Sequence, residues 1–275
     1  MTDRYAVVGN PITHSLSPLI HSAFAAQTGE DIRYDKLLAE RDGFAEFARE
    51  FFAAGGKGLN VTVPFKLDAC NFADRLTERA SAAGAVNTLK LETDGSLLGD
   101  NTDGAGLVAD IRDNLGWDIA GKRVLLLGAG GAARGALLPL LAEQPALLYI
   151  ANRTAAKALQ LATEFAGPSQ LGGGGYDTLA GHFDLVINAS AASLGGEVPP
   201  LPEGIFAPGA KAYDMVYGAE PTPFMRWAQQ RGAAVADGLG MLVGQAAEAF
   251  NLWRGVRPEV APVLQQLRKE IQNKS

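Results

Sequence analysis

With 275 residues, the chain exceeds what a single hydrophobic core usually covers, so two domains are expected, each able to bury a core. A net charge of −6, from 30 acidic and 24 basic side chains, argues against a nucleic-acid or anionic-membrane surface and points to small-molecule partners. The single Cys70 excludes an intramolecular disulfide framework, fits a reducing compartment and, with no paired base nearby in sequence, reads as an inert helical residue. No signal or transit peptide and no run of about 18 apolar residues is legible, so a cytoplasmic location is expected.

In chain order, residues 5–8 form an apolar strand that ends at Gly9-Asn10-Pro11. Residues 18–27 read as a helix with Ser17 as N-cap, Pro18 in the first position and Gly29 past the end. A second helix is predicted over 42–53, where Phe44, Phe47 and Phe51 recur at helical spacing before Gly55-Gly56. Residues 59–63 follow as a strand, Pro64 opens another helix, and 85–91 with 96–99 form a hairpin across Thr93-Asp94-Gly95. A connecting helix at 104–115 leads to a second alternating series, which puts a domain boundary near Asp103. In that series the glycine run 172–175 reads as a mobile surface loop, since no helical pattern opens directly after it. Residues 239–254 and 259–273 close the chain as helices that are expected to pack back on the first domain. The fold class is α/β: an N-terminal αβ domain followed by a Rossmann-like domain.

The strongest single motif is the strand 124–127 running into Gly128-Ala129-Gly130-Gly131-Ala132-Ala133 and a small-residue helical stretch. This is the dinucleotide fingerprint in its G-x-G-x-x-A form, in which glycines let backbone amides approach a pyrophosphate. At the end of the next strand, where NAD sites carry a carboxylate for the ribose, the chain reads Asn152-Arg153-Thr154 followed by Lys157. Two cations, an amide and a hydroxyl suit a 2′-phosphate, which points to NADP(H). In Asn60-Val61-Thr62-Val63-Pro64-Phe65-Lys66 the lysine falls in a first helical turn, where a cation opposes the helix dipole. It reads either as a proton-exchanging lysine or as a snorkelling surface residue. In Gly99-Asp100-Asn101-Thr102-Asp103-Gly104, Asp100 or Thr102 suits a helix cap while Asp103 faces a site. Ser15 and Ser17 bracket a helix start that suits a carboxylate, although capping alone accounts for Ser17. His14 and His21 lack a third ligand at metal spacing, so no metal is expected. Asn87-Thr88 and Gln245 interrupt apolar runs and read as satisfied buried polar groups.

Taken in order, SLSP at Ser15, NVTVPFK ending at Lys66, AVNTL around Asn87, GDNTDG around Asp103, GAGGAARG, NRT, INAS, DMVYGAEPTPF and DGLGMLVGQA resemble the shikimate dehydrogenase family over essentially the whole chain. The resemblance implies a substrate domain at 1–103, completed by the C-terminal helices at 242–275, facing an NADP domain at 104–241 across a cleft. It implies reversible NADP(H)-dependent reduction of 3-dehydroshikimate to shikimate in aromatic amino-acid biosynthesis, by a monomer or homodimer. Lys66 and Asp103 match the family's catalytic pair, with Lys66 as acid/base and Asp103 orienting it. Ser15 and Ser17 match the carboxylate site, and Thr62, Asn87, Asp103 and Gln245 the groups on the ring hydroxyls, with Asn60 and Tyr217 as secondary substrate residues. The cofactor set becomes Gly128, Ala129, Gly130, Gly131, Ala132, Asn152, Arg153, Thr154, Lys157, Ser190 and Met241. One departure stands out: Ala191 and Ala192 occupy positions where the family commonly carries hydroxyls, so no cofactor contact is carried over there. Rival readings meet opposing residues. A quinate/shikimate enzyme preferring NAD lacks the acidic residue after Ile150, an idle NADP-binding sensor would not need Lys66 and Asp103, and the double serine does not suit a pterin slot.

Overall fold

The structure is a computed structural model that describes residues 2–165 and 170–273, with the side chains of Ala191 and Leu194 outside the described set. Two compact units result, one of Met1–Gly106 with Val243–Val263 and the other of Leu107–Leu242 with Leu264–Ser275. The segment 242–275, expected to complete the first domain, is thus shared: 243–263 groups with the first unit and 264–275 with the second.

The first unit runs β1 (Asp3–Gly9), α1 (Ser17–Thr28), β2 (Ile32–Leu38), α2 (Phe44–Ala53), β3 (Gly56–Val61), α3 (Lys66–Phe72), β4 (Arg75–Leu76), α4 (Glu78–Ala83), β5 (Thr88–Leu91) and β6 (Leu97–Asp100), then enters α5 (Asp103–Ala109). Its six-stranded sheet has the order β2-β1-β3-β5-β6-β4, with β1 parallel to β2 and β3, and β5 antiparallel to β3 and β6. Side chains alternate between the two faces of β1, so each face acquires its own core. Ala6 and Val8 join Phe44, Phe51 and Leu59, while Tyr5 and Val7 join Tyr34, Ala249 and Trp253. Because both faces are covered, β1 reads as a continuous apolar run. β2 escapes the sequence reading because it is an edge strand whose charged Arg33, Asp35 and Lys36 dilute the apolar signal. Two helix starts also shift. Ser17 lies inside the first turn of α1, behind Leu16 at the N-cap, and α3 opens at Lys66 with Pro64 in the preceding turn.

In the second unit α5 leads into a π-helical turn at Asp110–Asn114. There follow β7 (Arg123–Leu127), α6 (Gly131–Ala142), β8 (Leu147–Ala151), α7 (Ala155–Glu164), β9 (Leu171–Gly174), β10 (Phe183–Asn188), β11 (Phe206–Asp214), α8 (Pro223–Gln229) and β12 (Ala234–Asp237), and then α9 (Leu239–Arg254) and α10 (Val260–Asn273) close the chain. The sheet order is β12-β11-β10-β7-β8-β9 with every pairing parallel. This is the doubly wound order, whose direction reverses between β7 and β10. Val124 and Leu126 enter one core, Leu125 and Leu127 the other, as expected of a strand with helices on both faces.

Three of the four glycines predicted as a mobile loop, 172–174, lie instead in β9, paired with β8 from Leu148↔Leu171 to Ala151↔Gly174, and Gly175 caps the turn that follows. A Cβ at position 173 would lie 2.5 Å from the Ala158 carbonyl oxygen, so glycine here lets α7 sit directly on the edge strand. Composition suggested flexibility; close helix packing is the physical reason. Among the described residues no helix is long and apolar enough to cross a membrane.

Candidate active site

In the first unit, β3, α3, β5, β6, α5 and α9 bring their polar residues to one place. Lys66 is the first residue of α3 and Asp103 the first of α5. The Lys66 Nζ donates to Asp103 Oδ2 at 2.5 Å, with the lysine side chain one-third exposed and the carboxylate one-tenth exposed. The second oxygen, Asp103 Oδ1, accepts from the Asn87 amide at 2.8 Å. The same amide nitrogen lies 3.0 Å from Thr102 Oγ1 and 3.3 Å from Gln245 Oε1. Lys66 and Asn87 therefore meet on the Asp103 carboxylate, and Asn87 also donates to Gln245.

Behind them runs a directional relay. Tyr34 donates its hydroxyl to Asn60 Oδ1 at 2.6 Å, Asn60 Nδ2 donates to Thr88 Oγ1 at 3.0 Å, and Thr88 donates to Asn87 Oδ1 at 2.9 Å. With Oδ1 accepting from Thr88 and from the Thr102 amide, Asn87 must turn its Nδ2 toward Asp103, which fixes its amide orientation. Burial pushes the Tyr34 phenol well above its ordinary range and Ser17 partly opposes the shift, so Tyr34 stays a donor. Ser15 Oγ accepts from the Ser17 amide at 3.3 Å, which makes the pair a local turn ahead of α1. Thr62 lies just past β3, its amide donating to the Val8 carbonyl. Tyr217 belongs to the second unit and is 36% exposed.

In the second unit the fingerprint turn lies at the topological switch point. Gly128 has φ +105°, and a Cβ there would come within 3.2 Å of the Ala189 carbonyl past β10. A larger residue would meet both a forbidden backbone region and the neighbouring loop. Gly130 is the N-cap of α6 and Gly131 its first residue, and a Cβ on either would meet nothing within 4 Å. Ala129 is half-buried and Ala132 exposed, and the first turn of α6 carries no acidic residue. Open space and helix amides, with no acidic residue in the first turn of α6, fit a pyrophosphate. At the end of β8, Asn152 Nδ2 donates to the Thr154 carbonyl and holds the turn, while Thr154 is the N-cap of α7 without a side-chain cap bond. Arg153 and Lys157 are exposed, and among the described residues neither has an ion-pair partner. Such a tip fits a 2′-phosphate. Ser190 donates to Asn188 Oδ1 at 2.7 Å, and Met241 is nearly buried in the core with its amide donating to the Tyr213 hydroxyl. Position 191 lies on the Ser190 loop, but the Ala191 side chain is outside the described residues.

Sequence reasoning missed two supports. Tyr34 had no signal because it sits on the unrecognised β2. Asp214 ends β11 where the DMVYG motif begins and is fully buried, accepting from Asn188 Nδ2, Ser193 Oγ, Thr222 Oγ1 and the Val216 amide. It thereby anchors the Ser190 loop. An acidic residue ending a buried parallel strand was the available signal.

Comparison with known proteins places the chain in a family. Residues 7–89 match the family model of the shikimate dehydrogenase substrate binding domain, residues 110–194 that of shikimate / quinate 5-dehydrogenase, and residues 238–268 that of the shikimate 5'-dehydrogenase C-terminal domain. A Cellvibrio japonicus protein named shikimate dehydrogenase (NADP(+)) is 62% identical over 276 residues, covering 100% of each chain. The structure of an Ael1 enzyme from Pseudomonas putida superposes with a TM-score of 0.94 at 50% identity, covering 97% of this chain and 98% of that one. Shikimate 5-dehydrogenase from Thermus thermophilus, solved in complex with NADP(H) and shikimate, gives 0.85 at 31% identity, covering 98% and 99%. By identity, coverage and fold, the chain belongs to the shikimate dehydrogenase family.

Proposed function

We propose that the protein catalyses the reversible NADP(H)-dependent reduction of 3-dehydroshikimate to shikimate, the step that serves aromatic amino-acid biosynthesis. The carrying observation is the 2.5 Å Lys66–Asp103 pair, with the Asn87 amide donating both to the same carboxylate and to Gln245. Bound NADPH supplies the hydride to the C3 carbonyl carbon. As the carbonyl π pair moves onto oxygen, Lys66 hands that oxygen a proton from a distance of about 2.6–3.2 Å, and the new hydroxyl is complete. Asp103 fixes the ammonium group before transfer and stabilises it when a proton is regained from water. In the oxidative direction Lys66 takes the hydroxyl proton back. Asn87 locks the Asp103 carboxylate plane, Thr62 and Gln245 meet ring hydroxyls, and Ser15 and Ser17 take the substrate carboxylate, with Asn60 and Tyr217 as further pocket residues.

For the cofactor, Gly128, Ala129, Gly130, Gly131 and Ala132 would take the pyrophosphate on the α6 amides. Asn152, Arg153, Thr154 and Lys157 would hold the 2′-phosphate, with Ser190 and Met241 toward the nicotinamide end. Support comes from the open α6 terminus and from the two basic side chains of the β8 turn. The proposal includes a cytoplasmic monomer or homodimer, in keeping with one cysteine and an acidic charge balance. Nicotinamide absorbance followed with shikimate and quinate, each with NADP+ and NAD+, tests it. Turnover of shikimate with NADP+ is expected. Quinate oxidation with NAD+ alone would overturn both substrate and cofactor, and tight NADP+ binding without any turnover would point to a sensor.

A further inference from the structure

Asp103 and Gln245 are spanned a second time, one turn behind Asn87. Arg79 on α4 forks onto Asp100, with Nε to Oδ1 at 2.7 Å and Nη2 to Oδ2 at 2.5 Å. Its remaining nitrogen, Nη1, lies 3.6 Å from Glu248 Oε2. Asp100 precedes Asp103 by three residues, and Glu248 follows Gln245 by three along α9, the spacing at which side chains share a helix face. From Asp100 the fixation continues inward. Its Oδ1 also accepts from the Thr77 hydroxyl at 2.6 Å and from the Asn101 amide at 2.8 Å. Asn101 then donates to the Ala85 carbonyl at 3.0 Å and accepts from the Asp103 amide at 3.2 Å. Asp100 is 1% exposed and Glu248 14%, so neither arm is a loose surface pair. Glu248 is held from its other side by Arg257 at 2.5 Å.

We infer that Arg79 is a positioning residue for the reaction, clamping the segment from Asp100 into Asp103 at the start of α5 to the helix that carries Gln245. The guanidinium suits this because it offers a planar fork to one carboxylate and a further donor to another, which an ammonium group cannot do. Errors of about an ångström in a catalytic constellation cost up to about 100-fold in rate, so a clamp this close to the reacting pair has a kinetic consequence.

This inference rests on the function proposed above, and the experiment separates the two. In Arg79→Lys, kcat with shikimate is expected to fall and the shikimate KM to rise, lowering kcat/KM about tenfold or more. The NADP+ dissociation constant, read by direct titration, should stay at the wild-type value, since its candidate ligands lie in the other unit. Glu248→Gln removes one arm and leaves the Asp100 fork, so it should act in the same direction and more weakly. Combined with Arg79→Lys it should add less than its single effect. Amide hydrogen exchange supplies a readout that needs no substrate: residues 100–103 and 245–248 should exchange faster in both variants. Wild-type exchange in these segments of folded Arg79→Lys would overturn the clamp, whatever the enzyme turns over. So would equal losses for shikimate and NADP+ that merely track the fall in Tm. An inactive wild-type protein whose exchange responds as expected would instead count against the proposed reaction alone.

Discussion

Lys66 opens α3 with its charge against the helix dipole, an arrangement that costs stability unless an anion answers it. Asp103 answers it, and favourably occupies the start of its own helix α5. The pair therefore stands where local rules are broken on one side and obeyed on the other, as is common at functional sites. Lys66→Met should lower kcat by about 10²- to 10⁴-fold and change the shikimate KM far less, measured by steady-state kinetics at saturating NADP+. A Lys66→Ala variant with near-normal turnover and an unchanged pH profile would remove the lysine from the chemistry. Arg153 carries a second residue-level prediction. Arg153→Asp removes a phosphate partner and adds repulsion, so NADP+ affinity should fall about tenfold or more while NAD+ affinity changes little. Equal losses for both cofactors would place the 2′-phosphate elsewhere.

At the scale of elements, β9 and α7 are decided together. The glycines of β9 bring the Ala158 carbonyl against the strand, and α7 begins at the turn that carries Arg153 and Thr154. Gly173→Ala should push α7 outward, destabilise the protein by about 1–3 kcal/mol in urea unfolding and weaken NADP+ more than shikimate. Loss confined to shikimate would contradict that coupling. The same pair shows why composition misled: four glycines raise the entropy of an isolated segment, but in the fold they permit a contact that any side chain would block. At α1 the opposite happened. Pro18 marked the start to within a residue, but Ser17, expected as the cap, became the first residue of the helix behind Leu16.

On the scale of the whole molecule, the two sheets differ in kind. One is mixed and carries the polar cluster, the other wholly parallel with its glycine turn at the reversal of strand order. Global stability carries the mark of one buried residue in the first unit. His21 is fully buried, stacks on Tyr34 with ring centroids 4.2 Å apart, and neither ring nitrogen has a hydrogen-bond partner among the described residues. Burial pushes its pKa from 6.5 to about 3, against a smaller upward pull from Asn60. Between those values the unfolded chain binds a proton that the folded chain refuses, so stability falls as pH drops through that window. Between about pH 7 and about pH 4 this amounts to about 3 kcal/mol. Urea unfolding across that range should show His21→Phe losing correspondingly less stability than the wild type. Parallel loss in both proteins would mean that His21 is protonated in the fold.

The sequence by itself determined the fingerprint turn, the basic tip after β8, the alternation of strands and helices, and the identities of Lys66 and Asp103. The first three depend on residue type at short spacing, which steric rules and helix electrostatics make legible, while Lys66 and Asp103 were singled out as a pair only by the resemblance of their motifs to a family. Only tertiary structure decided that Lys66 and Asn87 meet at the Asp103 carboxylate with Gln245 beside Asn87, that Tyr34 feeds the relay behind them, and that Arg79 reaches both Asp100 and Glu248. These are hydrogen bonds and ion pairs between elements distant in the chain, set by sheet order and helix packing. A linear pattern holds no trace of them beyond polar residues standing in apolar runs.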